Sequence, residues 1–170
     1  MWILPTENKA LLGVLNSKMG WWLITKYCTQ IQNGCQLIWK YFGQIPIPEC
    51  SNHTGLTTLV NKMIIKTAEL KKLANTFISL LQSKFEIEKP TTKLQNWYEL
   101  EFKDFLKELK KAKVQLSLSE EAEWMQYFNE QKQKAKELKA EINKVDSDIG
   151  QMVYELYELT DEEIKIVEQN

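Results

Sequence analysis

Four amides, Gln30, Gln32, Asn33 and Gln36, fall within seven residues and surround Gly34. Side-chain amides pair both a donor and an acceptor, the combination that meets the edge of adenine in a duplex groove or a phosphate oxygen. A polar loop at the surface has the same composition, so both readings stand at this point. Lys18, Lys26 and Lys40 lie on either side, as phosphate contacts or as ordinary surface charges. Trp21, Trp22, Tyr27, Trp39, Tyr41 and Phe42 crowd the same region. Such rings stack on bases or brace a groove-facing loop; Trp21, Trp22 and Phe42 are expected to form a small core instead.

A second constellation is Cys28, Cys35, Cys50 and His53, three thiols and an imidazole of the kinds that bind zinc. Cys50-x-x-His53 has workable local spacing, but the other two cysteines form no paired knuckle, so separate thiols and a linker histidine are the expected arrangement. An odd cysteine count without framework spacing suggests reduced thiols in a cytosol.

Enzyme signatures do not appear. The sequence has no Gly-rich phosphate loop, Gly-x-Ser-x-Gly elbow, His-Glu-x-x-His pair or Asn-Pro-Pro-aromatic run, and its single histidine rules out a catalytic pair of histidines. Triplets such as Glu69-Leu70-Lys71 and Glu108-Leu109-Lys110 look like pieces of a nuclease metal site, yet arise by chance in Lys/Glu-rich helices. No catalytic residue and no cofactor is assigned to this segment.

The elements that must hold these residues are read from period and punctuation. Thr6 is expected to cap a short helix through Leu11, Leu12, Val14 and Leu15, and a second short helix follows the Asn16-Ser17 break. Trp2-Ile3-Leu4 ahead of them resembles the remnant of a strand. Gly34 is expected at a positive φ. A short strand or turn then leads into a helical turn around Trp39–Gln44, and Pro46-Ile47-Pro48 stops helix from crossing.

Beyond a polar linker at 50–54, Leu56, Met63, Leu70 and Phe77 with Val60, Thr67, Ala74 and Leu81 mark a heptad seam. The seam stops at 86–90. A helical stretch over 94–113 follows, with Tyr98, Phe102, Phe105, Leu106 and Leu109 on one side. The last long helix, expected over 119–159 from a start at Ser119, carries Phe128, Ala135, Ile142, Ile149 and Leu156 in one column. Leu138, Val145, Met152 and Leu159 form the other. Thr160 with Glu163 is a capping box for a terminal helix. Seams of this length need partners, and packing 56–84 antiparallel against 119–159, with 94–113 alongside, supplies them within one chain. The overhang around 152–157 is expected to dock on the first lobe or on a partner.

The fold class is therefore mainly α: a small recognition lobe with at most a little β over residues 1–50, then long antiparallel coiled-coil-like helices over 51–170. With 44% apolar and 26% charged residues the chain is ordinary for a globular protein. No apolar run approaches the roughly 20 residues a membrane span needs, so a membrane partner is not expected. The net charge of −1 conceals an asymmetry. Residues 1–113 carry sixteen lysines against nine acids, and residues 114–170 six against fourteen. The first two-thirds suits a polyanion better than the last third. Every basic residue is lysine, which forgoes the fork that arginine offers to guanine; codon usage in an AT-rich genome is the simpler reading of that absence.

These residues carry a resemblance. Leu11-Leu12-Gly13-Val14-Leu15-Asn16-Ser17-Lys18, an aromatic helix, a Gly-x-x-x-Leu/Ile turn and Gln44-Ile45-Pro46-Ile47-Pro48 resemble the end of a target recognition domain. Such domains occur in the TaqI-like C-terminal specificity family of DNA methyltransferases and fused type II restriction-modification enzymes; the Gly34-to-Pro48 pattern is also similar to type I restriction specificity subunits. The stretch from Asp148 to Ile164 is close to the terminal signature of the fused enzymes and is the more specific match. The departure is Glu158, where the family commonly has glycine, a change that alters only the turn.

The resemblance implies a bacterial, cytoplasmic parent with an upstream methyltransferase domain that uses S-adenosylmethionine, and a parent that cleaves DNA as well in some members. None of the catalytic motifs is present, so the chain is expected to be a C-terminal fragment that positions double-stranded DNA without catalysing anything. Lys18, Lys26, Gln30, Gln32, Asn33, Gly34, Gln36, Lys40 and Tyr41 are its expected DNA-contacting residues. The alternative is a helical assembly module, a homodimer through the heptad seams, with no direct reading of DNA.

Overall fold

The structure is a computed structural model that describes residues 6–50 and 52–169; the strand expected at Trp2–Leu4 lies outside the described residues. The chain is mainly helical, and among the described residues its β structure is one two-stranded sheet. Packing separates two compact units. One comprises Met1–Ile64 with Lys144–Asn170, the other Ile65–Asn143.

In the first unit, α1 (Lys9–Asn16) and α2 (Lys18–Tyr27) meet at Ser17. Its buried hydroxyl donates to the Val14 carbonyl at 2.7 Å and accepts from the Gly20 N–H at 3.1 Å. One serine thus ends one helix and caps the next, as the Asn16-Ser17 break implied. The start of α1 differs from expectation: Asn8, not Thr6, is the N-cap, accepting from Leu11 N, while Thr6 Oγ1 accepts from Asn8 N. Strands β1 (Thr29–Ile31) and β2 (Gly34–Gln36) and a helical turn, α3 (Trp39–Phe42), follow.

The first part of α4 (Thr54–Phe85) and the last part of α7 (Leu118–Leu156) complete this unit with α8 (Asp161–Glu168). Leu56 and Val60 share a core with Val145, Ile149, Val153, Ala10, Val14, Met19 and Leu23. The 152–157 segment docks on the first lobe, where Tyr157 donates its hydroxyl to the Pro46 carbonyl at 2.9 Å. Thr160 and Glu163 form the expected capping box at the start of α8. Packing therefore differs from a division drawn in chain order at residue 50, because residues 56–60 and 145–167 bury their apolar faces against the N-terminal helices.

The second unit is built on aromatics. Phe77 on α4 stacks on Trp97 with ring centroids 3.9 Å apart, and Phe105, Trp124 and Phe128 close around the pair. Here α4 and α7 run antiparallel, Lys66 reaching Glu141 while Phe77 meets Phe128 and Phe85 meets Trp124. The stretch expected as one helix over 94–113 is instead α5 (Thr92–Gln95), a 3₁₀ turn (Trp97–Glu99) and α6 (Phe102–Lys111). That break lets Trp97 turn fully inward, its indole N–H donating to the Ala74 carbonyl. The long helix starts one residue earlier than expected: Ser117, not Ser119, forms a reciprocal box with Glu120.

Candidate nucleic-acid interface

Helix α2 ends where Cys28 enters the core; its N–H donates to the Ile24 carbonyl and its backbone is already extended. The chain leaves as β1, turns through Gln32-Asn33 and returns as β2. Thr29 pairs with Gln36, Gln30 with Cys35 and Ile31 with Gly34. Gly34 has φ 139°, the positive value expected of it, in a region that favours glycine.

Side chains alternate between the faces of a strand, and here the two faces have different surroundings. Cys35 is half-buried against the first unit's core, and Gln30, on the same face, bends back so that its Nε2 donates to the Thr25 carbonyl at 3.4 Å. The opposite face carries Thr29, Ile31 and Gln36, all exposed, with Ile31 at 55%. Gln32 and Asn33 are exposed at the tip. The ribbon is uncharged: no Lys, Asp or Glu occurs between Lys26 and Lys40.

Exposed Leu37 and Ile38 lead into α3, which packs beside α2. Phe42 turns toward the core, whereas Trp39 is, at 61%, the most exposed aromatic among the described residues. Lys40 lies 5.7 Å from the Tyr41 ring centroid, and Lys26 lies 5.4 Å from that of Trp22. Both ammonium groups are thus held beside rings at the two ends of the ribbon segment.

Of the nine residues expected to meet DNA, eight therefore lie on one continuous segment from the end of α2 to α3. Lys18 does not. It is ion-paired with Glu168 on α8, in an exposed pair of the weak kind. Trp21 departs from its expected core role: two positions after Met19 on a helix places it on the opposite side from buried Met19 and Leu23, and it is 48% exposed. Ile31 and Thr29 were not among the expected contacts; the register of the ladder, which sets Ile31 across from Gly34 and Thr29 across from Gln36, puts them on the open face.

The potential zinc ligands are not assembled. Among the described residues no group of three or more His, Cys, Asp or Glu is gathered to hold a metal ion. Burial pushes the Cys28 thiol up, with neighbouring Cys35 adding to it. Burial likewise raises Cys50, against a hydrogen bond with Asn8 that lowers it. His53 caps α4, its Nδ1 accepting from the Leu56 N–H at 3.1 Å.

The Glu-x-Lys triplets also have structural roles. Buried Glu108 accepts from Thr91 Oγ1 at 2.8 Å and from Lys111 Nζ at 2.7 Å, and those partners hold its carboxyl below the usual range despite burial. Glu69 and Glu141 both pair with Lys66.

Comparison with known families gives one match. A family model described as a domain of unknown function, DUF8810, matches residues 50–153, which takes in α4 and most of α7 and begins after the ribbon. No curated protein and no solved structure matches.

Proposed function

This chain belongs to the DUF8810 family, whose function is unknown and whose match begins after the ribbon; from the ribbon itself we propose that the N-terminal lobe reads double-stranded DNA while the helices position that lobe within a restriction-modification methyltransferase. The observation that carries this reading is the uncharged two-stranded ribbon, with Gln32, Asn33 and Gln36 outward, between Lys26 and Lys40. The major groove of B-DNA, about 12 Å wide, admits a two-stranded ribbon. In this reading the lysines neutralise phosphates and set the register, and the ribbon face meets the base edges. The resemblance of residues 11–48 and 148–164 to recognition domains and their terminal signature supports the same role. S-adenosylmethionine chemistry would belong to an upstream methyltransferase domain of the same enzyme. No bond is made or broken by this segment.

The rival reading, assembly through the heptad seams, has less support. Leu56, Val60, Phe77 and Leu81 on α4 and Phe128, Val145 and Ile149 on α7 are buried in the chain's own cores.

Fluorescence anisotropy of the whole chain on a labelled random duplex, across a salt series, tests the choice. Binding should weaken linearly in log–log form, and Lys26→Ala and Lys40→Ala should each reduce the slope by about 0.9. Gln36→Ala should weaken binding to the preferred sequence. Self-association that is insensitive to salt, without duplex binding, would replace this reading with the assembly module.

A further inference from the structure

The chemistry of the ribbon's free face is narrow enough to say which base pairs it suits. Resting on the reading of the lobe as a DNA reader, we infer that the base pairs it contacts in the major groove are A·T pairs. Gln36 on the open face and Gln32 and Asn33 at the tip carry paired amide donors and acceptors, the match to adenine N6 and N7. Ile31, directly across from Gly34, and Thr29, directly across from Gln36, are an exposed aliphatic side chain and an exposed hydroxyl with a methyl. Both suit the C5-methyl group that only thymine presents in that groove.

What the face lacks carries equal weight. Guanine O6 and N7 are read most often by Arg or Lys, and cytosine N4 by Asp or Glu. Residues 27–39 contain none of the four. Gly34 leaves the space beside Ile31 open, since nothing lies within 4 Å of the position a Cβ would take there. Ile31 is thus unscreened from the Gly34 side, where a thymine methyl can approach it. Gln30, turned back to the Thr25 carbonyl, belongs to the supporting face and is excluded from the reading set.

The test measures binding of the whole chain to three duplex polymers of equal charge density at fixed salt: alternating A·T, alternating G·C and alternating inosine·cytosine. Equal charge holds the phosphate contribution constant. Inosine·cytosine presents the major-groove edge of G·C but lacks the guanine N2 amino group of the minor groove. The expected result is binding to A·T about fivefold or more tighter than to G·C, with inosine·cytosine behaving as G·C does. Replacing thymine by uracil should lose part of the preference, and Ile31→Ala should lose that same part. If all three polymers bind equally, or inosine·cytosine behaves as A·T does, the inference is overturned while DNA binding survives. If no duplex binds at any salt concentration, the underlying reading falls with it.

Discussion

The Tyr154 hydroxyl donates to Glu168 Oε1 at 2.5 Å, tying the end of α7 to α8. The other carboxylate oxygen of Glu168 takes Lys18 from α2, so one acid joins three helices of the first unit. Its carboxyl is held below the usual range, by the Lys18 hydrogen bond first and the Tyr154 hydrogen bond second, against burial that raises it. A depressed folded-state pKa gives stability that is present above the ordinary carboxylate pKa and lost as pH falls through the lower, folded value. Thermal unfolding followed down the acid range should show that loss alongside those of the other lowered carboxyls, such as Glu108 and Glu163, and Glu168→Gln should make the acid limb shallower. Tyr154→Phe, measured at neutral pH, is expected to cost about 1–3 kcal/mol. An acid limb of the same steepness in the Glu168→Gln protein would refute the assignment.

Tyr157 behaves in the opposite sense at the alkaline end. Burial, and then the nearby Cys50 thiol, push its phenol up to about 12, against an ordinary value of about 10. A raised folded-state pKa means that the stability is complete below the ordinary value and disappears as pH rises through the folded one. Absorbance titration of tyrosinate should show two groups lagging the exposed tyrosines: Tyr157, and Tyr154, which burial and then Glu168 push up still further. Tyr157→Phe should remove the earlier of the two.

Glu158 sits at φ 54°, two residues past the end of α7 at Leu156. The Leu159 N–H reaches the Tyr154 carbonyl at 3.1 Å and the Glu158 N–H reaches that of Glu155 at 3.0 Å, the two bonds of a Schellman stop. The left-handed position costs a side-chain-bearing residue about 1–2 kcal/mol, while glycine loses about 0.5–1 kcal/mol of backbone freedom elsewhere. Glu158→Gly should therefore raise stability by up to about 1 kcal/mol in chemical denaturation, with α8 unchanged. A lower midpoint would show that the glutamate side chain has a role that its exposed position does not reveal.

Lys113 at φ 63° ends α6 in the same way, and Glu86 at φ 53° follows α4 directly, so none of these three helix stops announces itself with a glycine. That is why the ends were legible only to within a few residues, whereas the heptad columns were read residue by residue. Periodic burial is a property of the helix itself, and Leu56, Val60, Phe77, Leu81, Phe128 and Val145 bear it out. Thr67 shows the limit, since it occupies a seam position yet is exposed.

Caps were misplaced where two good candidates lay close together. Asn8 outcompetes Thr6 because asparagine is the stronger N-cap, and Ser117 outcompetes Ser119 because Glu120 can close the box on it. Buried Lys132 had no local signal at all. Its ammonium donates to the Leu100 carbonyl at 2.6 Å and to Glu101 at 2.7 Å, both contributed by a distant part of the chain. At the ribbon, residue types were readable in advance but the two faces were not. Which amide points outward depends on Cys35 being drawn to the core.

Two glycine substitutions in the same lobe should separate folding from reading. At Gly20 an added Cβ would lie 2.3 Å from the Val14 carbonyl oxygen and 2.8 Å from that of Leu15. Gly20→Ala must therefore push α1 and α2 apart at the Ser17 corner, and a large drop in melting temperature is expected. At Gly34 there is no neighbour for a Cβ to strike, and the cost is conformational: φ 139° is strained for any side-chain-bearing residue, by about 1–3 kcal/mol. The Ile31–Gly34 end is the tip of the ribbon, away from the face that Cys35 packs on the core, so Gly34→Ala can relieve that strain by opening this end of the ladder while the helices stay packed. Circular dichroism should then report near-native helix content, and salt-dependent binding through Lys26 and Lys40 should persist. Discrimination among duplex sequences should collapse, because Ile31, Gln32 and Asn33 no longer share a fixed frame with Gln36. A Gly34→Ala protein that is fully folded and keeps its discrimination would remove the ribbon from the reading surface.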